Sequence, residues 1–204
     1  MNRIFVLLIL WAAAVPAYAQ TSVILVFGDS ISAGYGLPHV ERGWVALLQA
    51  KLKTEGYGYE VVNASVSGET TAGGLARLPR ALSLHRPAVV ILELGGNDGL
   101  RALPVEQMRD NLSRMIDLAK GAGAQVLLLG MRIPPNYGPQ YTEQFSAVYA
   151  DLARDKHVPV VPFLLSSVAL HPDLMQADGV HPDEAAQPLL LQTAWPALRP
   201  TLKR

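Results

Sequence analysis

Apolar runs rich in Val, Ile and Leu recur along the chain at residues 23–27, 59–64, 88–94, 125–131 and 158–161, and predict five strands. Between them apolar positions fall at helical spacing, most clearly at Val105, Met108, Leu112, Met115, Ile116 and Ala119, and again at Phe145, Val148, Tyr149 and Leu152. Those stripes predict amphipathic helices whose apolar face meets a core. Strands apolar on both faces must be covered on both sides, and strands that alternate with helices run parallel. The predicted fold class is three-layer α/β/α around a parallel sheet.

No change of composition, flexible linker, internal repeat or charge block interrupts residues 21–204, and the one irregular stretch is a proline-rich loop at 130–141. A single domain over residues 20–204 is expected. The first residues differ from the rest: one basic residue (Arg3), an apolar stretch at 4–15 and the small-x-small sequence Ala17-Tyr18-Ala19. This reads as a signal peptide over residues 1–19 cut after Ala19. The apolar stretch is shorter than the roughly 20 residues that span a bilayer, which argues against a membrane anchor. A periplasmic or secreted protein is expected.

Half of the residues are hydrophobic, enough for a sizeable core without disulfide or metal staples. With no cysteine the chain has no disulfide, no thiol nucleophile and no lipoprotein acylation site. Basic and acidic residues balance at 17 each, and no basic run could track a phosphate backbone, so nucleic acid is not an expected partner. A monomer acting on a small molecule is expected.

In an open parallel sheet the ligand crevice lies beyond the C-terminal ends of the strands. Ser30, Gly68 and Asn97 each follow shortly after a predicted strand and should gather there. A lone serine between strand and helix reads as an N-cap, and becomes a nucleophile only with a base in reach. Among the five histidines, His39, His85, His157 and His171 compete for that role, but only His181, in DGVHP, has an aspartate three residues before it. A turn at Gly179 would let Asp178 reach the ring and fix its tautomer, leaving the other nitrogen for Ser30. The same segment also reads as a helix start, with Pro182 at the first helical position and Asp183 and Glu184 in the first turn.

Acyl transfer further requires donors aimed at an oxyanion. Gly68 can offer a backbone N–H unobstructed by a side chain, and Asn97, after Gly95-Gly96, a side-chain amide. A metal site built from His171, Asp173, Asp178 and His181 lacks a recognised ligand spacing. The Gly-x-Ser-x-Gly elbow of ordinary α/β-hydrolases is absent from the chain.

Taken together, these segments resemble the SGNH, or GDSL-type, hydrolase superfamily over essentially the whole of residues 20–204. Phe27-Gly28-Asp29-Ser30 is similar to its nucleophile block, residues 63–70 to its glycine block, Gly95-Gly96-Asn97-Asp98 to its Gly-x-Asn-Asp block and Asp178-Gly179-Val180-His181 to its Asp-x-x-His block. The likeness is greatest to bacterial periplasmic enzymes that combine acyl-CoA thioesterase, arylesterase and lysophospholipase activity, through GDSISAGYGL, NASVSGETT, LGGNDGLR and PPNYG.

The resemblance implies a five-stranded parallel sheet of flavodoxin-like type. It implies catalytic Ser30, Asp178 and His181, an oxyanion hole of Ser30 N–H, Gly68 and Asn97, and no cofactor. It also implies that residues 99–104 act as a mobile cover over the acyl chain. The expected substrates are acyl esters and thioesters. Two other readings stand beside this one: a glycan O-acetylesterase, and a non-catalytic protein that binds an apolar ligand on the same fold. The loop residues Leu37, Leu100, Leu103, Ile133 and Pro135 favour acyl chains, with Leu100, Ile133 and Pro135 expected to touch them.

Overall fold

A computed structural model describes residues 22–203. Five strands, β1 (Ser22–Gly28), β2 (Tyr59–Asn63), β3 (Val89–Glu93), β4 (Gln125–Leu129) and β5 (Val160–Val161), form one parallel sheet in the order β2-β1-β3-β4-β5. This is the flavodoxin-like order, in which the chain reverses direction across the sheet between β1 and β3 and leaves a crevice above their C-terminal ends. All five residues of β3 are buried, as a strand covered by helices on both faces must be.

Helices α1 (Ser30–Ala33), α2 (Trp44–Thr54), α3 (Thr71–His85), α4 (Gly96–Leu100), α5 (Val105–Gly121), α6 (Pro139–Lys156) and α7 (Gln187–Leu198) complete the fold. One layer is α3, α5 and α6; α2 and α7 pack together on the opposite face. The stripe on α5 behaves as predicted: Met108, Leu112, Met115, Ile116 and Ala119 are buried, with Val105 partly so. On α6, Phe145, Val148, Tyr149 and Leu152 are buried likewise.

Three boundaries differ from the pattern, each for a local reason. Residues 158–161 yield only two strand residues, because Pro159 and Pro162 bracket Val160–Val161 and cannot donate to a ladder. The proline-rich stretch is less irregular than its composition suggests: Pro135–Tyr137 forms a 3-10 turn, and Pro139 opens α6, where its missing N–H costs nothing. The expected helix start at Pro182 is not found. Pro182 instead pairs with Met175 in an antiparallel bridge, and α7 begins at Gln187.

The expected signal peptide, residues 1–19, lies outside the described residues. No helix among the described residues is long and apolar enough to cross a membrane.

Candidate active site

At the end of β1 the chain turns from strand to helix within two residues. Asp29 caps α1, its Oδ1 accepting the Ile31 N–H at 3.0 Å, so Ser30 is the first helical residue rather than the cap. The Ser30 N–H stands at a helix start and has no protein acceptor among the described residues.

Ser30 Oγ lies 2.9 Å from His181 Nε2, and His181 Nδ1 lies 2.7 Å from Asp178 Oδ2. The turn at Gly179, with φ +67°, brings aspartate and histidine together. Asp178 Oδ1 also accepts the N–H groups of Val180 and His181, at 2.9 and 3.0 Å. Those backbone bonds, joined by the bond from the His181 ring, hold the Asp178 carboxyl down at about 2. An ionised carboxylate only accepts, so Nδ1 carries the ring proton and Nε2 faces Ser30 with its lone pair.

Gln176 ties this loop to the nucleophile turn, its Nε2 donating to the carbonyls of Tyr35 (2.8 Å) and Pro182 (3.1 Å). The Tyr35 ring leans on the imidazole with centroids 4.7 Å apart. None of His39, His85, His157 or His171 reaches Ser30. His39 faces Glu41 at 3.4 Å, His85 ends α3, His157 caps α6 and His171 precedes a 3-10 turn.

The polar residues around Gly68 shape their own loop. Asn63 Nδ2 donates to the Ser32 carbonyl at 2.7 Å while its Oδ1 accepts the Ser65 N–H at 3.1 Å. Val66 N–H reaches the Gly28 carbonyl at 3.0 Å, carrying the β2 edge toward β1. Glu69 pairs with Arg77 at 2.5 Å, and Thr70 caps α3. Gly68 sits at φ +78°, and its N–H has no protein acceptor among the described residues.

The two polar residues of Gly95-Gly96-Asn97-Asp98 diverge. Asp98 turns inward, accepting Thr71 N–H at 2.8 Å and Thr71 Oγ1 at 2.5 Å. Asn97 faces the crevice and donates one amide hydrogen to Asp29 Oδ2 at 3.1 Å, leaving the second unspent. Ser30, Gly68 and Asn97 therefore meet at one place with three free N–H donors.

They open into a cavity of about 560 Å³. Leu100, Ile133 and Pro135 line it as expected, whereas Leu37 and Leu103 do not. Leu37 lies instead against Gly34 beneath α1, and the Leu103 carbonyl is taken by Tyr141 Oη at 2.6 Å. Much of the opposite wall was not anticipated: Phe163, Leu165, Leu170 and Met175 come from the segment after β5. That apolar stretch follows a strand C-terminus, and the edge rule used for Ser30 would have found it.

Of residues 99–104, Leu100 lines the cavity and Arg101 reaches Gly68. Tyr137 Oη holds the Leu100 carbonyl at 2.8 Å, Arg101 Nη2 donates to the Gly68 carbonyl at 3.0 Å, and Ala102 takes φ +50°, in the left-handed region.

Residues 26–188 match the GDSL-like Lipase/Acylhydrolase family. The chain is 55% identical to Esterase TesA of Pseudomonas aeruginosa over 91% of each chain. It is 43% identical to the Thioesterase 1/protease 1/lysophospholipase L1 of Escherichia coli strain K12, over 89% of this chain and 86% of that one. The crystal structure of TesA superposes with a TM-score of 0.86 at 55% identity, covering 89% of this chain and all of that one. Fold, motif order and sequence agree, and the chain belongs to the GDSL-like lipase/acylhydrolase family.

Proposed function

We propose that this chain is a serine esterase that hydrolyses carboxylic esters and thioesters of acyl chains through an acyl-enzyme. One observation carries the reading: a continuous Ser30–His181–Asp178 hydrogen-bond chain beside three unspent N–H donors, at the mouth of a largely apolar cavity. Ser30 Oγ attacks the carbonyl carbon while His181 Nε2 takes its proton, and the carbonyl oxygen becomes an oxyanion held by Ser30 N–H, Gly68 N–H and the Asn97 amide. Asp178, held at about 2, stays ionised and steadies the imidazolium. His181 then protonates the departing alcohol or thiol. Water, deprotonated by the same nitrogen, attacks acyl-Ser30 and frees the acid and the serine.

The relatives named as esterase and as thioesterase and lysophospholipase support acyl esters as the substrate class. The wall of Leu100, Ile133, Phe163 and Leu165 favours an acyl chain over a glycan, whose hydroxyls would ask for polar partners. Residues 99–104 serve in this reading as the cover over that chain, and the leader-like residues 1–19 direct the protein out of the cytoplasm.

The test is hydrolysis of p-nitrophenyl esters from acetate to palmitate by the protein and by Ser30→Ala. Turnover is expected to extend to long chains and to fall by at least about 10³-fold in the variant. Turnover confined to acetate supports the glycan reading. No turnover at any length, with no labelling of Ser30 by a fluorophosphonate, supports the binding-protein reading.

A further inference from the structure

Directly behind the nucleophile turn, β3 presents Glu93, a completely buried acid with no lysine or arginine partner among the described residues. Its Oε2 accepts the Asp29 N–H at 3.3 Å and the Ser32 hydroxyl at 2.6 Å, one on either side of Ser30. The fit is close: a Cβ on Gly28 would stand 2.5 Å from the same Oε2 and 2.9 Å from Ser32 Oγ, so only glycine lets the acid lie against β1. Glu93 Oε1 has no hydrogen-bond partner among the described residues. Asp29, also buried, is arranged differently, with both its oxygens engaged, Oδ1 by Ile31 N–H and Oδ2 by the Asn97 amide.

Two carboxyls this close and this dry cannot both ionise. The bonds say which one keeps the proton. Asp29 has an N–H donor on each oxygen, an anion's environment, whereas Glu93 is completely buried, has both its donors on Oε2 and none on Oε1, and has no cation beside it among the described residues, an environment that disfavours its charged form. We propose that Glu93 is a positioning residue that works as a neutral acid: it pins the backbone on both sides of Ser30 and leaves the negative charge on Asp29, which orients Asn97 toward the oxyanion. This rests on the serine-esterase reading above.

The surroundings agree with that division. Burial pushes Glu93 well above its ordinary value, and the Asp29 charge pushes it further; burial raises Asp29 to about 6, opposed by the Ile31 and Asn97 bonds, by His181 and by a bond with the Glu93 side chain. The remaining titratable group facing the pair is Tyr149 from α6, whose buried hydroxyl donates to the Leu94 carbonyl at 3.0 Å and which is itself held up by burial and by Glu93, Asp29 and Asp98.

Glu93→Gln keeps a neutral acceptor in place and is expected to retain most of kcat with an unmoved acid limb in kcat/KM. Glu93→Ala frees the turn and is expected to lose about 10²-fold in kcat with KM nearly unchanged, the cost of a misplaced nucleophile and oxyanion donor. Should Glu93→Ala fail to fold, Ser32→Ala removes one of the two anchors and is expected to lower kcat alone. Infrared difference spectra at pH 8 read the proton itself. The carboxylic acid C=O stretch is expected in the wild type and in Ser30→Ala, and absent from Glu93→Gln. Its absence from the folded wild type, or a kcat in Glu93→Gln as low as in Glu93→Ala, overturns the proposal. The spectrum needs no turnover, so its failure is separate from any failure of Ser30→Ala to lose activity.

Discussion

Asp178 is two-fifths exposed at its side chain, yet it is the acid held lowest, because the turn aims two backbone N–H groups and one imidazole N–H at it. The sign follows directly. A lowered carboxyl adds stability that is present above its unfolded value of about 3.9 and is lost as pH falls through about 2. At any pH where the enzyme works, Asp178 is charged, and its role is to hold the imidazole in one tautomer. Asp178→Asn is therefore expected to lower kcat by about 10⁴-fold while KM changes little. Steady-state kinetics on a soluble ester check this, and a loss confined to KM would make Asp178 a binding residue. The Asp178–His181 pair was legible because one turn makes it: three residues of spacing and a glycine fix the geometry. The Asn97–Asp29 bond was not, since it joins residues 68 apart whose meeting depends on β1 and β3 being neighbours. Glu93 did leave a signal: a lone acid inside the run Val-Val-Ile-Leu-Glu-Leu cannot face solvent if the strand is buried on both faces.

Between elements, the joint that carries Asn97 is built from its neighbour. Asp98 on α4 takes both the N–H and the hydroxyl of Thr71 at the start of α3, and Asn111 of α5 donates to the same Thr71 Oγ1 at 3.1 Å. All three residues are buried, so the joint ties three helices beneath the oxyanion donors. Asp98→Ala would leave two buried donors without partners, a cost of about 3 kcal/mol. For a domain of this size that corresponds to a fall in Tm of roughly 6–12 °C. Thermal unfolding checks it; an unchanged Tm would mean that water or a shifted Thr71 replaces the carboxylate. At this scale the sequence was read well where periodicity was long, as on α5, and less well where proline sets the boundary. Prolines at 159 and 162 cut β5 to two residues, and the segment after it, which walls the cavity, has neither period; its one sign in the sequence is its place after a strand C-terminus.

For the molecule as a whole, the buried acid pair sets stability against activity. Asp29 rises from 3.8 to about 6 and Glu93 goes higher, so the folded state holds protons that the unfolded chain has already released. Where the folded state binds more protons, stability falls as pH rises, by about 1.4 kcal/mol per pH unit for each proton retained. Asp178 cannot offset this above pH 5, because both its folded and unfolded forms are ionised there. Activity runs the other way: His181 must be neutral to act as base, and Asp29 must be charged to hold Asn97. Unfolding free energy is thus expected to decline between pH 5 and 8 while kcat/KM climbs. Glu93→Gln isolates the cause, since glutamine carries no proton to lose in either state. The variant should gain on the wild type as pH rises from 6 to 8. Urea unfolding of both proteins at several pH values measures that divergence, and parallel curves would mean that Glu93 ionises within the fold.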